Sequence, residues 1–283
     1  MSAAVAAPGA GGSPRDAGAG RVAAPARPSR PRRWPARVVV LVVLVAITAW
    51  SWVAVDVDLA ALAQNFSNAQ DTLVQLFQPD YSFFGETLQP LLETVQMAVI
   101  GTAVGCAVSL PLSFLASRAT NPNGPLLGVV RTVMNVVRSI PDLLYASIFV
   151  TVVGTGALSG VLSLVLFNLG IMVKLVSEAL DGVDRGGQEA ALASGATWLQ
   201  ADRAAMLPEV APQYVSQTIY VLELNIRAST VIGLVGAGGL GMLIDRVRTF
   251  YQYHYLSLII LEILVLVLLL ELLSSAARKR LVR

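Results

Sequence analysis

Several stretches of this chain are apolar for long enough to cross a lipid bilayer as helices. The stretch from Val38 to Val55 holds about 18 residues, or about 27 Å of helix, and Tyr255 to Leu273 is of similar length. Of the 283 residues, 55% are hydrophobic and only 13% are charged, far from the composition of a soluble domain. We therefore predict an all-α polytopic membrane protein.

The apolar runs and the turns between them predict about six transmembrane helices. The predicted spans are 38–55, 91–116, 126–153, 158–175, 215–234 and 255–273. In the second span, Gly101 and Gly105 have the G-x-x-x-G spacing that permits close helix packing in lipid. In the third, Pro141 predicts a kink or a restart of the helix.

The distribution of basic residues predicts the orientation of the spans. Arginines are frequent from Arg15 to Arg37 and again from Arg278 to Arg283, whereas 56–89 contains no Lys or Arg. Because basic segments are retained in the cytoplasm, both termini are predicted to be cytoplasmic. The predicted organisation is a disordered cytoplasmic tail at 1–36, a first transmembrane anchor at 37–55, an extracytoplasmic segment at 56–90, a membrane core at 91–276 with a cytoplasmic loop at 181–210, and a basic cytoplasmic C-terminus at 277–283.

The charge and the rare residue types exclude several functions. A formal net charge of +2 is too small to indicate nucleic-acid binding. The single Cys106 and the single His254 exclude an intrachain disulfide and a metal site rich in Cys or His. Neither Lys174 nor Lys279 lies in a G-x-x-x-x-G-K-[ST] loop, so the chain cannot hydrolyse ATP by itself.

A glycine-rich stretch from Gly236 to Gly241 formally matches the dinucleotide-binding pattern G-x-G-x-x-G. A polar membrane helix leads into it, where a dinucleotide site needs a buried strand. We interpret it as a tight, mobile gate or turn at the outer mouth of a pathway. Its glycines are Gly233, Gly236, Gly238, Gly239 and Gly241.

One long polar interruption, from Glu189 to Pro208, divides the apolar second half of the chain. Gly195 separates two pieces that favour helix, and a glycine lets two short helices meet at an angle. Leu192, Leu199 and Met206 recur at intervals of seven and are expected to rest on neighbouring protein. The residues expected to face water are Glu189, Gln200, Asp202 and Arg203. The segment is either a docking knob or an ordinary amphipathic loop.

The span 215–234 is the most polar and is expected to face a cavity or a partner. Arg227 is central, because a guanidinium at bilayer depth costs at least ~2.5 kcal/mol. It either forms a structural ion pair with Glu223, four residues earlier, or donates to an anion such as a phosphonate. The two roles are compatible. The residues predicted to line a substrate pathway are Glu223, Asn225, Arg227, Ser229, Thr230 and Arg138.

The polar loop resembles the E-A-A coupling loop of ABC importer permeases, although Ala205 stands where that family usually has a bulky aliphatic residue. The stretches from Glu86 to Leu115, Arg138 to Asp142 and Asn225 to Gly241 resemble the phosphonate branch of these permeases. The likeness covers roughly residues 60 to 280. The residues implied in ATPase coupling are Glu189, Ala190, Ala191, Gly195, Leu207 and Pro208.

This resemblance implies a type I importer permease fold, with 91–276 as the permease core. It implies a homodimer in the lipid bilayer of the bacterial plasma membrane. The other implied partners are two copies of a cytoplasmic ABC ATPase, which carries the ATP and Mg, and an extracytoplasmic substrate-binding protein. The implied substrate is phosphonate, phosphite or phosphate. No cofactor and no covalent chemistry are expected on this chain.

Four other functions stay open at this stage. A secondary, ion-coupled anion transporter would need carboxylates in the membrane, such as Glu262 or Glu271, and a repeated half, which the sequence lacks. An importer permease for another small solute, such as an amino acid, would share the coupling loop. An intramembrane hydrolase would need a Ser–His pair, yet His254 is expected at the bilayer surface. A purely structural membrane subunit is the fourth.

Overall fold

The computed structural model describes residues 34–56, 60, 64 and 66–281, and every regular element in this part of the chain is helical, as predicted. The chain divides into two compact units, Met1–Ala63 and Gln64–Arg283. In the first unit, α1 covers Trp34–Ala54, and its stretch Arg37–Ala54 has the length and hydropathy of a membrane span. The predicted anchor is therefore a helix that begins within the last residues assigned to the tail. The predicted disorder of 1–33 lies outside the described residues.

The second unit is built from helices that follow one another closely in the chain. They are α2 (Phe66–Leu76), α3 (Phe84–Ala116), α4 (Gly124–Ser139), α5 (Asp142–Val153), α6 (Ala157–Gly182), α7 (Gly186–Ala193), α8 (Trp198–Ala201), α9 (Leu207–Gly233), α10 (Gly239–Thr249) and α11 (Tyr253–Leu281). A 3₁₀ turn at Tyr81–Phe83 precedes α3, and a single π turn at Asp202–Met206 joins α8 to α9.

Among the residues that the structure describes, four segments are long and apolar enough to cross a membrane. They are Arg37–Ala54, Tyr81–Ala116, Ala157–Gly182 and Tyr253–Lys279. The bent pair α4 and α5 makes a fifth if it counts as one span. Helix α9 has 27 residues, enough length to cross, but it is too polar to join this set. The predicted number of six spans is therefore approximate.

Three predicted boundaries shift because helices continue beyond the apolar stretches. Helix α3 begins at Phe84, inside the predicted extracytoplasmic segment 56–90, which also contains α2. The 3₁₀ turn before it is capped by Asp80, whose Oδ1 accepts from the Ser82 N–H at 2.9 Å. Hydrogen bonding from Ser82 lowers the pKa of Asp80. Helix α6 ends at Gly182 and α9 begins at Leu207, so both ends of the predicted loop 181–210 are helical.

The core of the second unit is the close contact of α3 with α6. A Cβ added at Gly101 would lie 2.7 Å from Leu164 Cβ, and one added at Gly105 would lie 2.7 Å from Asn168 Cβ. Any larger residue at these positions would separate the two helices. The close packing predicted from the G-x-x-x-G spacing is confirmed.

Helices α4 and α5 meet at a bend of 86°. Pro141 precedes α5 with a ψ of 143°, so the chain leaves the helical region at the proline and starts a new helix at Asp142. The Tyr145 hydroxyl donates to Val137 O at 2.7 Å and fixes the bend. The restart predicted at Pro141 is confirmed. None of residues 124–139, all of which are described, is buried.

Candidate functional site

The segment between α6 and α9 forms two short helices that meet at a glycine. Gly195 has a φ of +91°, a conformation that L side chains rarely adopt, and it separates α7 from α8. Helix α8 begins with a capping box, in which Thr197 Oγ1 accepts from Gln200 N–H and Gln200 Oε1 accepts from Thr197 N–H. The angled helix pair predicted at Gly195 is confirmed.

The candidate coupling residues have different exposures. Glu189, Ala190, Gly195 and Pro208 are exposed, whereas Ala191 and Leu207 are half-buried.

The apolar face expected from Leu192, Leu199 and Met206 is only partly correct. Met206 is fully buried and Leu192 is half-buried, but Leu199 is 78% exposed. Trp198, next to it, is 48% exposed, so these two side chains form an apolar projection on α8.

Asp202 was expected to face water, and this expectation is wrong. Its side chain is buried in the π turn, where its Oδ1 accepts from Gln188 Nε2 at 2.7 Å. The same Gln188 nitrogen donates to Ala119 O at 3.0 Å, in the connection between α3 and α4. Burial raises the pKa of Asp202, and the hydrogen bond from Gln188 opposes that rise. The loop is thus anchored to the connection between α3 and α4 through the buried side chains of Gln188 and Asp202.

A second anchor, which was not predicted from the sequence, lies where α6 ends. Arg131 Nη2 of α4 binds Asp181 Oδ2 at 2.8 Å. The two residues are far apart in the sequence, and no local pattern connects them. An aspartate at the end of an apolar helix, which needs a partner, is the one feature that could have drawn attention to it.

The most polar helix, α9, carries an ion-pair cluster. Arg227 Nη2 binds Glu223 Oε1 at 2.7 Å, which confirms the predicted helical pair. The other oxygen of Glu223 lies 3.5 Å from Arg278 Nη2 and accepts from Ser274 Oγ at 3.2 Å, both on α11. The side chain of Glu223 is 12% exposed and that of Arg227 is 49% exposed. The contact of Arg278 with Glu223 was not predicted, since Arg278 was expected only as part of the basic C-terminus.

The other predicted pathway residues make no side-chain contact with this ion pair among the hydrogen bonds and ion pairs of the described residues. Asn225 is buried, and its Nδ2 donates to Thr102 Oγ1 of α3 at 2.7 Å. The hydroxyls of Ser229 and Thr230 both donate to Ile226 O of their own helix. Arg138 is exposed beside a cavity of about 300 Å³ at the α4–α5 bend. The structure therefore brings Glu223 and Arg227 together and does not join the other four to them.

The glycine-rich turn between α9 and α10 is tightly packed. Four of its five glycines, all except Gly236, are buried. Gly236 O accepts from Gly156 N–H at 2.9 Å, and Thr94 Oγ1 accepts from Leu240 N–H at 2.8 Å. A Cβ on Gly238 would lie 2.9 Å from Ala157 N. The tight turn predicted here is confirmed, and residues of α3 and α6 pack closely around it. Its role as a mobile gate at the outer mouth of a pathway stays a prediction.

Comparison with known proteins agrees with this architecture. Residues 109–283 match the family described as "Binding-protein-dependent transport system inner membrane component". The chain is 39% identical over 228 residues to the "Phosphite transport system permease protein PtxC" of Stutzerimonas stutzeri, covering 81% of this chain and 83% of that protein. It is 34% identical over 233 residues to the "Phosphate-import permease protein PhnE" of Mycolicibacterium smegmatis, covering 82% of this chain and 43% of that protein.

A solved structure shares the fold. The inward-facing MetNI methionine ABC transporter contains a chain with a TM-score of 0.64 and 24% sequence identity, covering 72% of this chain and 100% of that one. The type I permease fold predicted from the coupling loop is confirmed, and the chain is a multi-pass transport component rather than an enzyme. The chain belongs to the family of inner membrane components of binding-protein-dependent transport systems.

Proposed function

We propose that this chain forms the translocation pathway of an ATP-driven importer for phosphonate, phosphite or phosphate. Two sequence relatives are named for phosphite and phosphate transport. The observation in the chain itself that carries the proposal is the cluster of Arg227, Arg278 and Glu223.

The charge balance of this cluster favours a tetrahedral oxyanion. One carboxylate lies between two guanidinium groups, so the three side chains have a net charge of +1. Each guanidinium has five N–H donors in a planar fork, and Glu223 occupies only part of this capacity. The donors that remain suit the oxygens of a phosphoryl group. Half of the Arg227 side chain is exposed on the single chain, so its free donors are accessible to an anion.

The same balance argues against an amino acid as the substrate. A zwitterion would need a carboxylate to accept its ammonium group as well as a cation for its carboxylate. In this cluster both oxygens of Glu223 are already engaged, Oε1 by Arg227 and Oε2 by Arg278 and Ser274. An anion is therefore the better match.

The segment from Glu189 to Pro208 is proposed to dock on a separate cytoplasmic ATPase. The exposed Glu189, the projecting Trp198 and Leu199, and the angled turn at Gly195 support this role. We propose a homodimer of this chain, two ATPase copies carrying ATP and Mg, and an extracytoplasmic binding protein that delivers the anion. We propose that both termini lie in the cytoplasm of a bacterium, with the helices in its plasma membrane, and the arginines near both ends of the chain support this orientation.

The experiment is uptake into proteoliposomes that hold the permease, its ATPase and its binding protein. Phosphite, phosphate and methylphosphonate are offered in turn. We expect ATP-dependent uptake of at least one, and a fall of about tenfold or more in Arg227→Ala, because a charge-assisted contact to the anion is lost. The matched control is Arg248→Ala, which removes an exposed arginine paired with Asp245 on α10.

Two results would contradict the proposal. Wild-type uptake rates in Arg227→Ala would remove the anion role of the cluster, provided that the ATPase copurifies with the variant. Uptake that stops on collapse of the proton gradient while ATP is intact would favour an ion-coupled transporter instead.

A further inference from the structure

The connection between α3 and α4 is bound from two sides, by the end of α6 and by the coupling segment, which covers α7, α8 and the π turn from Gly186 to Met206. Asp181, at the end of α6, accepts the Ala119 N–H at 3.2 Å. Gln188, on α7, donates to the Ala119 carbonyl at 3.0 Å. The backbone N–H and the carbonyl of Ala119 are thus bound by two residues that flank or belong to the loop. Ala119 itself is 3% exposed.

Asp181 binds more than this one peptide group. Its Oδ1 also accepts from Ser117 Oγ at 2.7 Å and from the Arg118 N–H at 2.7 Å. Its Oδ2 accepts from Arg131 Nη2 at 2.8 Å, and Arg131 Nε donates to Ala116 O at 2.6 Å. One carboxylate therefore joins the end of α6, the connection that follows α3, and α4.

The far end of the coupling segment is tied to the same place. Gln188 Nε2 donates to Asp202 Oδ1 at 2.7 Å, so the π turn before α9 is bound to α7 and, through Gln188, to Ala119. We call Asp181, Gln188, Asp202 and Arg131 the loop clamp. The segment cannot shift relative to Ala119 without breaking a charge-assisted or buried hydrogen bond, so a joint movement is favoured.

Helix α4 has few other attachments. None of its residues, all of them described, is buried, and it packs mainly along α6. Arg131 is its one side chain with an ion pair among the described residues. A displacement of the segment would therefore reach α4 through this arginine and through the short connection from Ala119 into α4.

We propose that the loop clamp couples movement of the segment 186–206 to α4, so that Asp181 and Arg131 are positioning residues for transport. This inference rests on the proposed coupling role of the segment. Force from the ATPase then reaches the membrane helices by three routes: through α6, through α9, and through the clamp to α4 and the bend that follows it.

The test measures movement of α4 in the complete permease–ATPase complex in nanodiscs. Spin labels are placed on cysteines at Val133 of α4 and Leu264 of α11, which are 49% and 53% exposed. The native Cys106 is buried, and an excess of unlabelled chain isolates the distance within one copy. Distances are recorded without nucleotide and after trapping with ATP and vanadate. We expect a shift in the wild type that is lost in Asp181→Asn, while ATP hydrolysis persists.

Matched variants separate coupling from stability. Glu178→Gln removes an ion pair with Lys174 on the same helix, and the shift should equal that of the wild type. Arg131→Lys should retain part of the shift, whereas Arg131→Gln should lose it. If Asp181→Asn does not assemble with the ATPase, Gln188→Met replaces it, because methionine has a similar shape and lacks both hydrogen bonds.

The outcomes are separate from those for the proposed function, because no transported anion is needed. A trapped shift of equal size in Asp181→Asn or its replacement, or no shift of α4 in the wild type, would overturn the clamp. Failure of all three anions in the uptake assay, with the shift intact and lost on Asp181→Asn, would leave the clamp standing and reject the substrate class.

Discussion

Replacing Gly241 with alanine should destabilise the protein more than the same change at other glycines. The added Cβ would lie 2.0 Å from Thr230 O and 2.7 Å from Gly233 Cα. Both are backbone atoms of α9, so no side-chain rotation can relieve the overlap, and α9 and α10 must separate by roughly 1.5 Å to restore ordinary van der Waals distances. Overpacking of this kind costs about 3 kcal/mol, at the upper end of the usual range.

Two other glycines separate the steric term from the conformational term. Gly128, inside α4, has nothing within 4 Å of an added Cβ, so Gly128→Ala should stabilise the helix by about 1 kcal/mol. Gly195 also has open space, but its φ is +91°, so Gly195→Ala should cost about 1 kcal/mol for backbone strain alone.

Thermal melts of the purified variants in detergent test this order. At about 2–4 °C per kcal/mol, Gly241→Ala should melt about 6–12 °C below the wild type, Gly195→Ala a few degrees below it, and Gly128→Ala above it. A melting temperature for Gly241→Ala equal to that of Gly128→Ala would refute the steric reasoning.

Three further substitutions have defined outcomes. Glu189→Lys, on the exposed face of α7, should leave the melting temperature unchanged and separate ATP hydrolysis from uptake in proteoliposomes; normal coupling would argue against docking there. Burial raises the pKa of Asp202 above its unfolded value. The stabilising contribution of Asp202 to the free energy of unfolding is therefore complete at pH values below the ordinary aspartate pKa, and it is lost as the pH rises through the folded pKa. Asp202→Asn should therefore melt no lower than the wild type at pH 7 and vary less between pH 4 and 7; a clear loss of stability at pH 7 would contradict this. Glu262→Gln retains the contact with Thr87 and should retain ATP-driven uptake, whereas loss of uptake would support a proton-coupled mechanism.

Features that depend on neighbouring residues in the chain were predictable. The apolar spans follow from local hydropathy, the restart at Pro141 follows from its missing N–H, and the angled turn follows from Gly195. The pair Glu223–Arg227 follows from the helical repeat. Each depends on residues that are close together in the chain, so the local backbone fixes their relative geometry.

Features that depend on distant residues were not predictable from the chain alone. Arg278 reaches Glu223 from α11, and Arg131 reaches Asp181 from α4. Asp202 was expected in water because a carboxylate in a polar loop is usually solvated, but Gln188 hydrogen-bonds it inside the fold. Helix ends also differed from the hydropathy limits, since α6 continues through Glu178 and Asp181 to Gly182. A helix ends where its hydrogen bonding ends, which is not where lipid ends.

The π turn at Asp202–Met206 fixes the azimuth of α8 relative to α9. Its wide backbone loop, closed by Leu207 N–H donating to Asp202 O, accommodates one residue more than an α-helical turn would. Removing one residue from it would restore an uninterrupted α-helix and rotate α8 by about 100° around the common axis, with an advance of about 1.5 Å. Trp198 and Leu199 would then point to a different side without any change in their chemistry. The direction in which the apolar projection on α8 points is therefore set by the number of residues in the π turn and not by the identity of its side chains.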